Sequence, residues 1–177
     1  MTTFMEKIYK YDSIISYRLC DFRYCRWFSA LMVIVSKLGD GPIWFFLSLC
    51  LILLGGITGV KAVFVEILSA FICIMIFKIV KNRTTRKRPF ETYPDMEFIL
   101  PPPDEYSFPS GHSMNAFAAA TVMACYFPFL FLPLFIIAVL IATSRVFLAL
   151  HYPTDVIIGA LIGISVSLSL IWIVENV

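Results

Sequence analysis

The sequence predicts an all-α fold: a polytopic membrane bundle of five to six transmembrane helices plus an N-terminal interfacial helix. Of the 177 residues, 60% are hydrophobic, and the mean hydropathy is +0.87. Soluble domains contain only about 45–50% apolar residues, so this excess indicates a bilayer. Four or five stretches approach the roughly 20 apolar residues that a spanning helix needs. The length predicts a single domain over residues 1–177.

The apolar stretches are expected to form helices in chain order. They cover residues 43–59, 62–80, 113–127, 129–150 and 156–174. The glycine-rich sequence GGITG supplies a turn at the end of the first stretch, and Pro128 ends the third, which is short and rich in small residues. The polar residues 81–112 form a loop between the second stretch and the third.

The N-terminal region, residues 1–38, lacks a long apolar stretch. Its sequence WFSALMVIV is apolar but too short to span a bilayer, and Asp21, Arg23 and Arg26 stand just before it. We interpret this region as an interfacial helix followed by a short or re-entrant helix, and a sixth span is the alternative.

Composition also narrows the classes of function. A net charge of +2 is too small to indicate a nucleic-acid partner, and aromatic and basic residues are not interleaved as in nucleic-acid-binding proteins. The five cysteines are scattered and have no histidines nearby, which argues against a disulfide framework or a zinc site.

The order of the spans brings three distant polar clusters to one membrane face. If the stretch 62–80 ends on one side, the loop 81–112 lies on that side, the third stretch leaves it and the fourth returns to it. The sequences KNRTTRKRP, PSGH and SRVFLALHYPTD should then meet. We expect one site built from all three clusters.

The first cluster contains Lys81 and Arg88, which are two helical turns apart. They share a face if the helix continues past Val80, and Pro89 then ends that helix. Five of the eight residues from 81 to 88 are cationic. Taken alone, this cluster is better explained as a topology signal of the positive-inside kind.

The second cluster is the tetrapeptide PSGH. Ser110 can cap a helix that begins near His112, and Gly111 lets the backbone approach a ligand closely. The free N–H groups of a helix N-terminus attract anions. Taken alone, an ordinary N-cap beside a surface histidine explains this tetrapeptide better.

The third cluster places Arg145 and His151 at the exit of one span and Asp155 in the first turn of the next, where Pro153 suits the helix start. A carboxylate there can fix the tautomer of His151 and stabilise its cation. The alternative is a helix N-terminal charge beside an interfacial histidine.

Together the clusters predict phosphoryl transfer. The chain has two histidines, and both lie in these clusters, with cations, a carboxylate and a helix start suited to anions. In such a site the cations neutralise the phosphoryl oxygens, one histidine attacks phosphorus and the other protonates the leaving oxygen.

The clusters resemble the signature of the type-2 phosphatidic acid phosphatase family. That signature is Lys-x6-Arg-Pro, Pro-Ser-Gly-His and Ser-Arg-x5-His-x3-Asp, and every position is matched here within residues 81–155. The family also includes glucose-6-phosphatase and the vanadium haloperoxidases.

The resemblance implies a role for each matched residue. His151 is the nucleophile that forms a phosphohistidine, Asp155 orients it, and His112 protonates the leaving group and then helps to activate water. The phosphate is bound by Lys81, Arg88, Ser110, Gly111 and Arg145. The resemblance implies no metal and no other cofactor. The loop acids are compatible with this because they lack metal-binding spacing.

The expected substrate is a membrane lipid phosphate, since the site lies at helix ends where lipid headgroups are. Bacterial relatives act on undecaprenyl diphosphate, phosphatidylglycerol phosphate, phosphatidate or lipid A phosphates. The resemblance implies the bacterial cytoplasmic membrane with a site facing the periplasm, although the cationic loop alone favours the cytoplasm.

Two alternatives and one selectivity hypothesis remain open. The alternatives are a vanadate-dependent haloperoxidase-like enzyme and a non-catalytic lipid-binding or transport protein that uses Glu66 and Lys78 as membrane charges. The hypothesis concerns a loop without Lys or Arg between Pro89 and Ser110. If it rims the pocket, its acids disfavour headgroups with additional negative charge. These acids are Glu91, Asp95, Glu97, Asp104 and Glu105.

Overall fold

The computed structural model describes residues 2–21, 25–93, 96, 99–102 and 104–176, with the side chains of 2–5, 20 and 21 excepted. Within these residues the chain forms eight α-helices and no strand, which confirms the all-α prediction. They are α1 Thr2–Asp21, α2 Arg26–Gly39, α3 Pro42–Leu54, α4 Gly56–Thr84, α5 Pro89–Thr92, α6 Gly111–Tyr126, α7 Phe131–Phe147 and α8 Pro153–Asn176. A 3₁₀ turn, Pro128–Leu130, precedes α7.

Three segments of the described chain are long and apolar enough to cross a membrane. They are Gly56–Thr92, Pro128–Phe147 and Pro153–Asn176, and α2 with α3, bent by 52°, would be a fourth. Large apolar side chains between 73% and 86% exposed lie on the outside, namely Phe45, Leu54, Ile57 and Phe129. Such a surface is stable in lipid, and the chain is an integral membrane protein. The count of five to six spans stays a prediction, since α6 has 16 residues and is mostly buried inside the bundle.

The N-terminal region forms two helices, as expected from its interrupted pattern. The α1 helix buries Asp12 and Ser16 against the rest of the protein. The α2 helix ends at Gly39, and the chain bends at Asp40 and Gly41 into α3. Arg23, one of the charges on which the interpretation rested, lies outside the described residues. The interfacial position of α1 stays a prediction.

The centre of the bundle is the close contact between α6 and α8. A Cβ atom added at Gly159 would lie 2.6 Å from the Ser110 carbonyl oxygen, and one added at Gly163 would lie 2.2 Å from the Met114 carbonyl oxygen. One turn further along α8, Ser167 donates to a carbonyl oxygen of α6 at 3.1 Å. Small residues four apart allow two membrane helices to approach in this way. The contact places the start of α8 beside the start of α6.

The second spanning helix continues past Val80 but ends before Arg88, so the condition under which Lys81 and Arg88 share a helix face is not met. The α4 helix ends at Thr84, Thr85 is left-handed with φ 44°, and Arg88 is extended with φ −78° and ψ 158°. A residue that precedes proline favours the extended conformation for steric reasons, and Pro89 therefore begins α5 where we expected it to end α4. Lys81 and Arg88 do not share a helix face, and the loop between them brings them together.

Candidate active site

The three polar clusters meet at one end of the bundle. Arg88 donates from Nη1 to the Leu150 carbonyl oxygen at 2.5 Å, directly beside His151. The backbone N–H of Ser110 donates to the Asp155 carbonyl oxygen at 3.1 Å. Between the second and third clusters lies a cavity of about 250 Å³. Its lining includes Gly111, His112 and His151, together with Asp40 and Asp104.

Two of the predicted phosphate ligands, Lys81 and Arg88, are buried and share one carboxylate. The Lys81 ammonium pairs with Asp104 and lies 4.4 Å from the centre of the Phe77 ring. Arg88, which is fully buried, donates from Nη2 to the same Asp104 oxygen at 2.5 Å and from Nε to the Asp104 carbonyl oxygen at 3.1 Å. One anionic oxygen thus bridges two buried cations, and a phosphate oxygen can make the same two charge-assisted contacts.

Asp104 comes from the acidic loop that the sequence hypothesis placed at the rim of the pocket. Glu91 faces away from the cavity and accepts the backbone N–H of Arg88 at 2.9 Å, and Glu105 is exposed. Asp95 and Glu97 lie outside the described residues. Among the described acids of this loop, Asp104 is the one that enters the site.

Arg145, the third predicted cation, is 3% exposed near the end of α7. Its Nη1 donates to the Ser36 hydroxyl of α2 at 2.5 Å. Its Nε and Nη2 have no hydrogen-bond partner among the described residues. Burying guanidinium donors without partners is costly, so they indicate a place for an anionic ligand.

The start of α6 forms as predicted. Ser110 is its N-cap and accepts the backbone N–H of Ser113 at 3.4 Å. A Cβ atom on Gly111 would lie 3.0 Å from the Phe77 ring, so the glycine allows close packing at the cavity. The positive end of the helix dipole, at Gly111 and His112, faces the cavity.

His112 is the second residue of α6, at the polar end and outside the apolar membrane-crossing segments. Its Nε2 contacts the carboxylate of Asp40, a residue of the bend between α2 and α3. Burial, and then the charge of Arg145, lower the pKa of His112 to about 4, while the negative charge of Asp40 opposes this shift. Without an anionic ligand the ring is therefore neutral at neutral pH.

His151 is 2% exposed and lies in the loop between α7 and α8. Its Nδ1 is 2.6 Å from the Ser107 carbonyl oxygen. Since a carbonyl oxygen only accepts, Nδ1 carries the proton of the neutral ring, and Nε2 keeps its lone pair. Burial, and then the cations Arg88, Arg145 and Lys81, lower the pKa of His151 well below its ordinary value. The buried ring is thus neutral, with a free lone pair on Nε2.

Asp155 lies in the first turn of α8, as predicted, but it does not hydrogen-bond the ring. Its Oδ2 is 3.9 Å from Nδ1 of His151 and accepts the backbone N–H of Tyr152 at 2.8 Å. Its Oδ1 accepts from Arg86 at 2.5 Å. The bond that fixes the tautomer comes from Ser107, and Asp155 is close enough to stabilise a positive charge on the ring.

Sequence reasoning missed several residues of this site. Asp40, Ser36 and Asp12 lie before the first motif, and Arg86 was counted only as part of a topology signal. Ser36 and Asp40 could have been found from the sequence, because each places a hydroxyl or a carboxylate in or beside an apolar segment. Nothing in the sequence indicates that the Ser107 carbonyl meets His151, because every residue has a carbonyl.

The two membrane charges considered for a transport role have separate positions. Glu66 is buried in α4 and accepts from the Ser48 hydroxyl of α3 at 2.6 Å, so it joins two helices. Lys78 lies at the edge of the cavity.

In the part of the chain that the structure describes, no group of three or more His, Cys, Asp or Glu residues is arranged to hold a metal ion.

This fold and this site define an integral membrane enzyme that binds a phosphate group. Residues 45–177 match the sequence profile of the PAP2 superfamily. The chain therefore belongs to this superfamily, as its three motifs predicted. Undecaprenyl-diphosphatase of Sulfolobus acidocaldarius is 28% identical to it over 148 residues, which cover 83% of this chain and 71% of that protein.

Two solved structures have the same fold. LpxE of Aquifex aeolicus superimposes with a TM-score of 0.78 and 26% identity over 89% of this chain and 92% of that one. A transmembrane PAP2 type phosphatidylglycerolphosphate phosphatase of Bacillus subtilis superimposes with a TM-score of 0.75 and 24% identity over 97% of this chain and 88% of that one. The prediction of a hydrolase, a membrane lipid phosphatase, is confirmed. The family match and the Sulfolobus acidocaldarius relative favour a phosphatase over the haloperoxidase-like and non-catalytic alternatives.

Proposed function

We propose that this membrane lipid phosphatase transfers the terminal phosphate of a lipid monoester or diphosphate to Nε2 of His151 and then to water. The observation that carries the proposal is the bond between Nδ1 of His151 and the Ser107 carbonyl oxygen, at 2.6 Å. It leaves Nε2 unprotonated on a buried ring that lines the cavity and lies near the cations Arg88, Arg145 and Lys81. A neutral imidazole is the form that can attack phosphorus.

The first step forms the bond between Nε2 and phosphorus and breaks the bond between phosphorus and the lipid oxygen. Lys81, Arg88 and Arg145 hold the phosphoryl oxygens, together with Ser110 and the backbone N–H of Gly111. To reach Lys81 and Arg88 the phosphate takes the position of the Asp104 carboxylate. Arg145 offers the two donors that lack partners among the described residues. The positions of the cations stabilise the charge that spreads over the phosphoryl group.

His112 supplies the proton that the leaving oxygen needs. In the free enzyme its ring is neutral, with a pKa of about 4. A bound phosphate dianion favours the protonated ring, as the Asp40 carboxylate does, so binding of the substrate loads the acid with its proton. This proton then passes to the leaving lipid oxygen.

In the second step water attacks the phosphohistidine, and inorganic phosphate leaves. His112, now neutral, takes a proton from this water, and the electron pair of the nitrogen–phosphorus bond returns to Nε2. Asp155, 3.9 Å from Nδ1, stabilises the positive ring of the intermediate. The residues named here are sufficient for both steps, and we propose that no metal and no other cofactor takes part.

The substrate class follows from the position of the cavity among the ends of membrane helices. The candidates are undecaprenyl diphosphate, phosphatidylglycerol phosphate, phosphatidate and lipid A phosphates. The name of the Sulfolobus acidocaldarius relative contains the first of these lipids, which supports the class. We place the protein in the bacterial cytoplasmic membrane, with the site facing the periplasm.

Phosphate release from a panel of these lipids by purified protein in detergent, with EDTA present, tests the proposal. We expect release by the wild type and none by His151→Ala. A phosphate label that is stable in alkali and lost in acid should appear on the wild-type protein and be absent from His151→Ala. Full activity of His151→Ala would show that another residue is the nucleophile.

A further inference from the structure

Arg86 joins the loop after α4 to two carboxylates from opposite ends of the chain. Its Nη1 donates to Oδ1 of Asp155 at 2.5 Å, and its Nη2 donates to Oδ2 of Asp12 at 2.6 Å. Nη1 also lies 2.9 Å from the Thr154 hydroxyl. The guanidinium stacks on the Tyr152 ring, 4.1 Å from its centre. Arg86 is therefore fixed by contacts on both of its terminal nitrogens and on one face.

Asp12 is the α1 partner in this network and is 2% exposed. Besides Arg86 it accepts the backbone N–H of Thr154 at 3.0 Å and the Thr154 hydroxyl at 2.5 Å. The Thr154 N–H belongs to the first turn of α8, where a helix has no internal partners for its N–H groups. Asp12 thus caps α8 from another helix and holds the peptide that precedes Asp155.

The charges of the network suit the chemistry beside it. The carboxylates of Asp12 and Asp155 and the guanidinium of Arg86 sum to one negative charge, and this charge is buried beside His151. The proposed intermediate makes the His151 ring positive. A buried negative charge that is fixed in advance stabilises such a cation without reorganisation.

We propose that Asp12 and Arg86 are positioning residues of the reaction, by which the N-terminal helix α1 fixes Asp155 and the chain around His151. The proposal rests on the proposed function, since it assigns the two residues to the same histidine. Neither residue lines the cavity that holds the two histidines. Asp12 also precedes the part of the chain that matches the family profile, residues 45–177.

The experiment compares Asp12→Asn and Arg86→Gln with two matched controls on the same segments. Glu6→Gln removes an exposed carboxylate from α1, and Lys87→Gln removes the exposed cation next to Arg86. We expect kcat to fall by up to about 100-fold in the two test variants, because displaced reacting groups cost rate. KM should change little, because neither residue touches the phosphate. The controls should match the wild type.

The acid limb of the kcat/KM profile distinguishes positioning from a general loss of structure. Removing the positive charge of Arg86 leaves Asp155 unneutralised, which raises the pKa of His151 and moves the limb to higher pH. Removing the negative charge of Asp12 moves the acid limb to lower pH or leaves it in place. The other ionisable groups that face the ring are unchanged in both variants. They are Lys81, Arg88, His112 and Arg145.

Arg86→Lys separates geometry from charge. It keeps the positive charge but cannot bridge two carboxylates as a guanidinium does. We therefore expect the acid limb to stay at its wild-type position while kcat stays low.

The proposal is overturned if Asp12→Asn and Arg86→Gln have the same kcat as their control variants. It is also overturned if their losses follow only a lowered melting temperature and disappear in assays on ice. The proposed function has a different point of failure, namely a wild type without phosphatase activity or an active His151→Ala.

Discussion

His112, the proposed acid, and the carboxylate of Asp40 form a pair at the edge of the cavity, and the proposed role predicts which substrates depend on this pair. A monoester leaves as an alkoxide, which needs a proton in the transition state, whereas a diphosphate leaves as a stable phosphate anion. His112 is neutral in the free site because burial lowers its pKa to about 4. In the proposed mechanism the ring takes up its proton when the substrate binds, and the negative charge of Asp40 favours the protonated form.

We expect His112→Ala to lose more activity on a lipid monoester than on a lipid diphosphate. Asp40→Asn should show the same preference with a smaller loss, because the ring remains but its protonated form is less favourable. Turnover of phosphatidate and of undecaprenyl diphosphate by each variant measures this difference. Equal losses of His112→Ala on both lipids would contradict the acid role.

In the proposed mechanism Asp104 competes with the substrate for Lys81 and Arg88, since its carboxylate bridges both cations. We expect Asp104→Asn to lower KM, because the phosphate no longer displaces an anion from these cations. The same variant leaves two buried cations without their partner, so its melting temperature should fall and should recover when inorganic phosphate is added.

Glu105→Gln is the control for this effect, because it removes the neighbouring exposed acid of the loop. It should keep the KM and the melting temperature of the wild type. A rise of KM in Asp104→Asn would mean that the acid helps to bind the substrate and does not oppose it.

Among the elements, the packing of α6 against α8 sets the position of His112 relative to Asp155, because α6 carries the first residue and α8 carries the second. Their contact passes through Gly163, where an added Cβ atom would lie 2.2 Å from a backbone oxygen of α6. A backbone atom cannot move aside as a flexible side chain can, so the helices must separate to accept a methyl group.

We expect Gly163→Ala to destabilise the protein by about 1–3 kcal/mol, the usual cost of overpacking, and to lower activity. Ser165→Thr adds one methyl group on the exposed face of the same helix and should have little effect. Thermal unfolding in detergent and phosphate release measure both variants. Equal melting temperatures of the two would show that α6 and α8 do not need this close approach.

The helices could be predicted where an apolar run is bounded by a residue that ends or caps a helix, as at Pro128 and at Ser110. The end of α4 could not be predicted, because the apolar pattern stops at Val80 and the steric effect of Pro89 acts on Arg88 before it. The motif residues could be found because each motif is short and local. The contacts of Asp12, Ser36, Asp40 and the Ser107 carbonyl depend on tertiary packing, which leaves no periodic signal in the sequence.

At the scale of the whole molecule, burial of the active-site histidines links activity to stability. A histidine whose pKa is lowered by folding is neutral in the folded protein at pH values where the unfolded chain already binds a proton. Between its folded pKa and the ordinary value of about 6.5 the unfolded state therefore holds more protons. Stability contributed by the neutral ring is complete above this window and is lost as the pH falls through it.

Wild-type protein should accordingly lose stability between about pH 7.5 and pH 5, and part of this loss belongs to His151, whose pKa lies well below its ordinary value because the ring is buried. In His151→Gln the buried group no longer titrates, so its melting temperature in detergent should fall less over the same interval. The corresponding difference in the free energy of unfolding can reach about 1.4 kcal/mol for each pH unit inside the window. Lys87→Gln, an exposed substitution, should lose as much stability over this pH interval as the wild type.

If His151→Gln loses as much stability as the wild type, His151 is already protonated in the folded protein at pH 5, and its description as a neutral buried nucleophile is wrong.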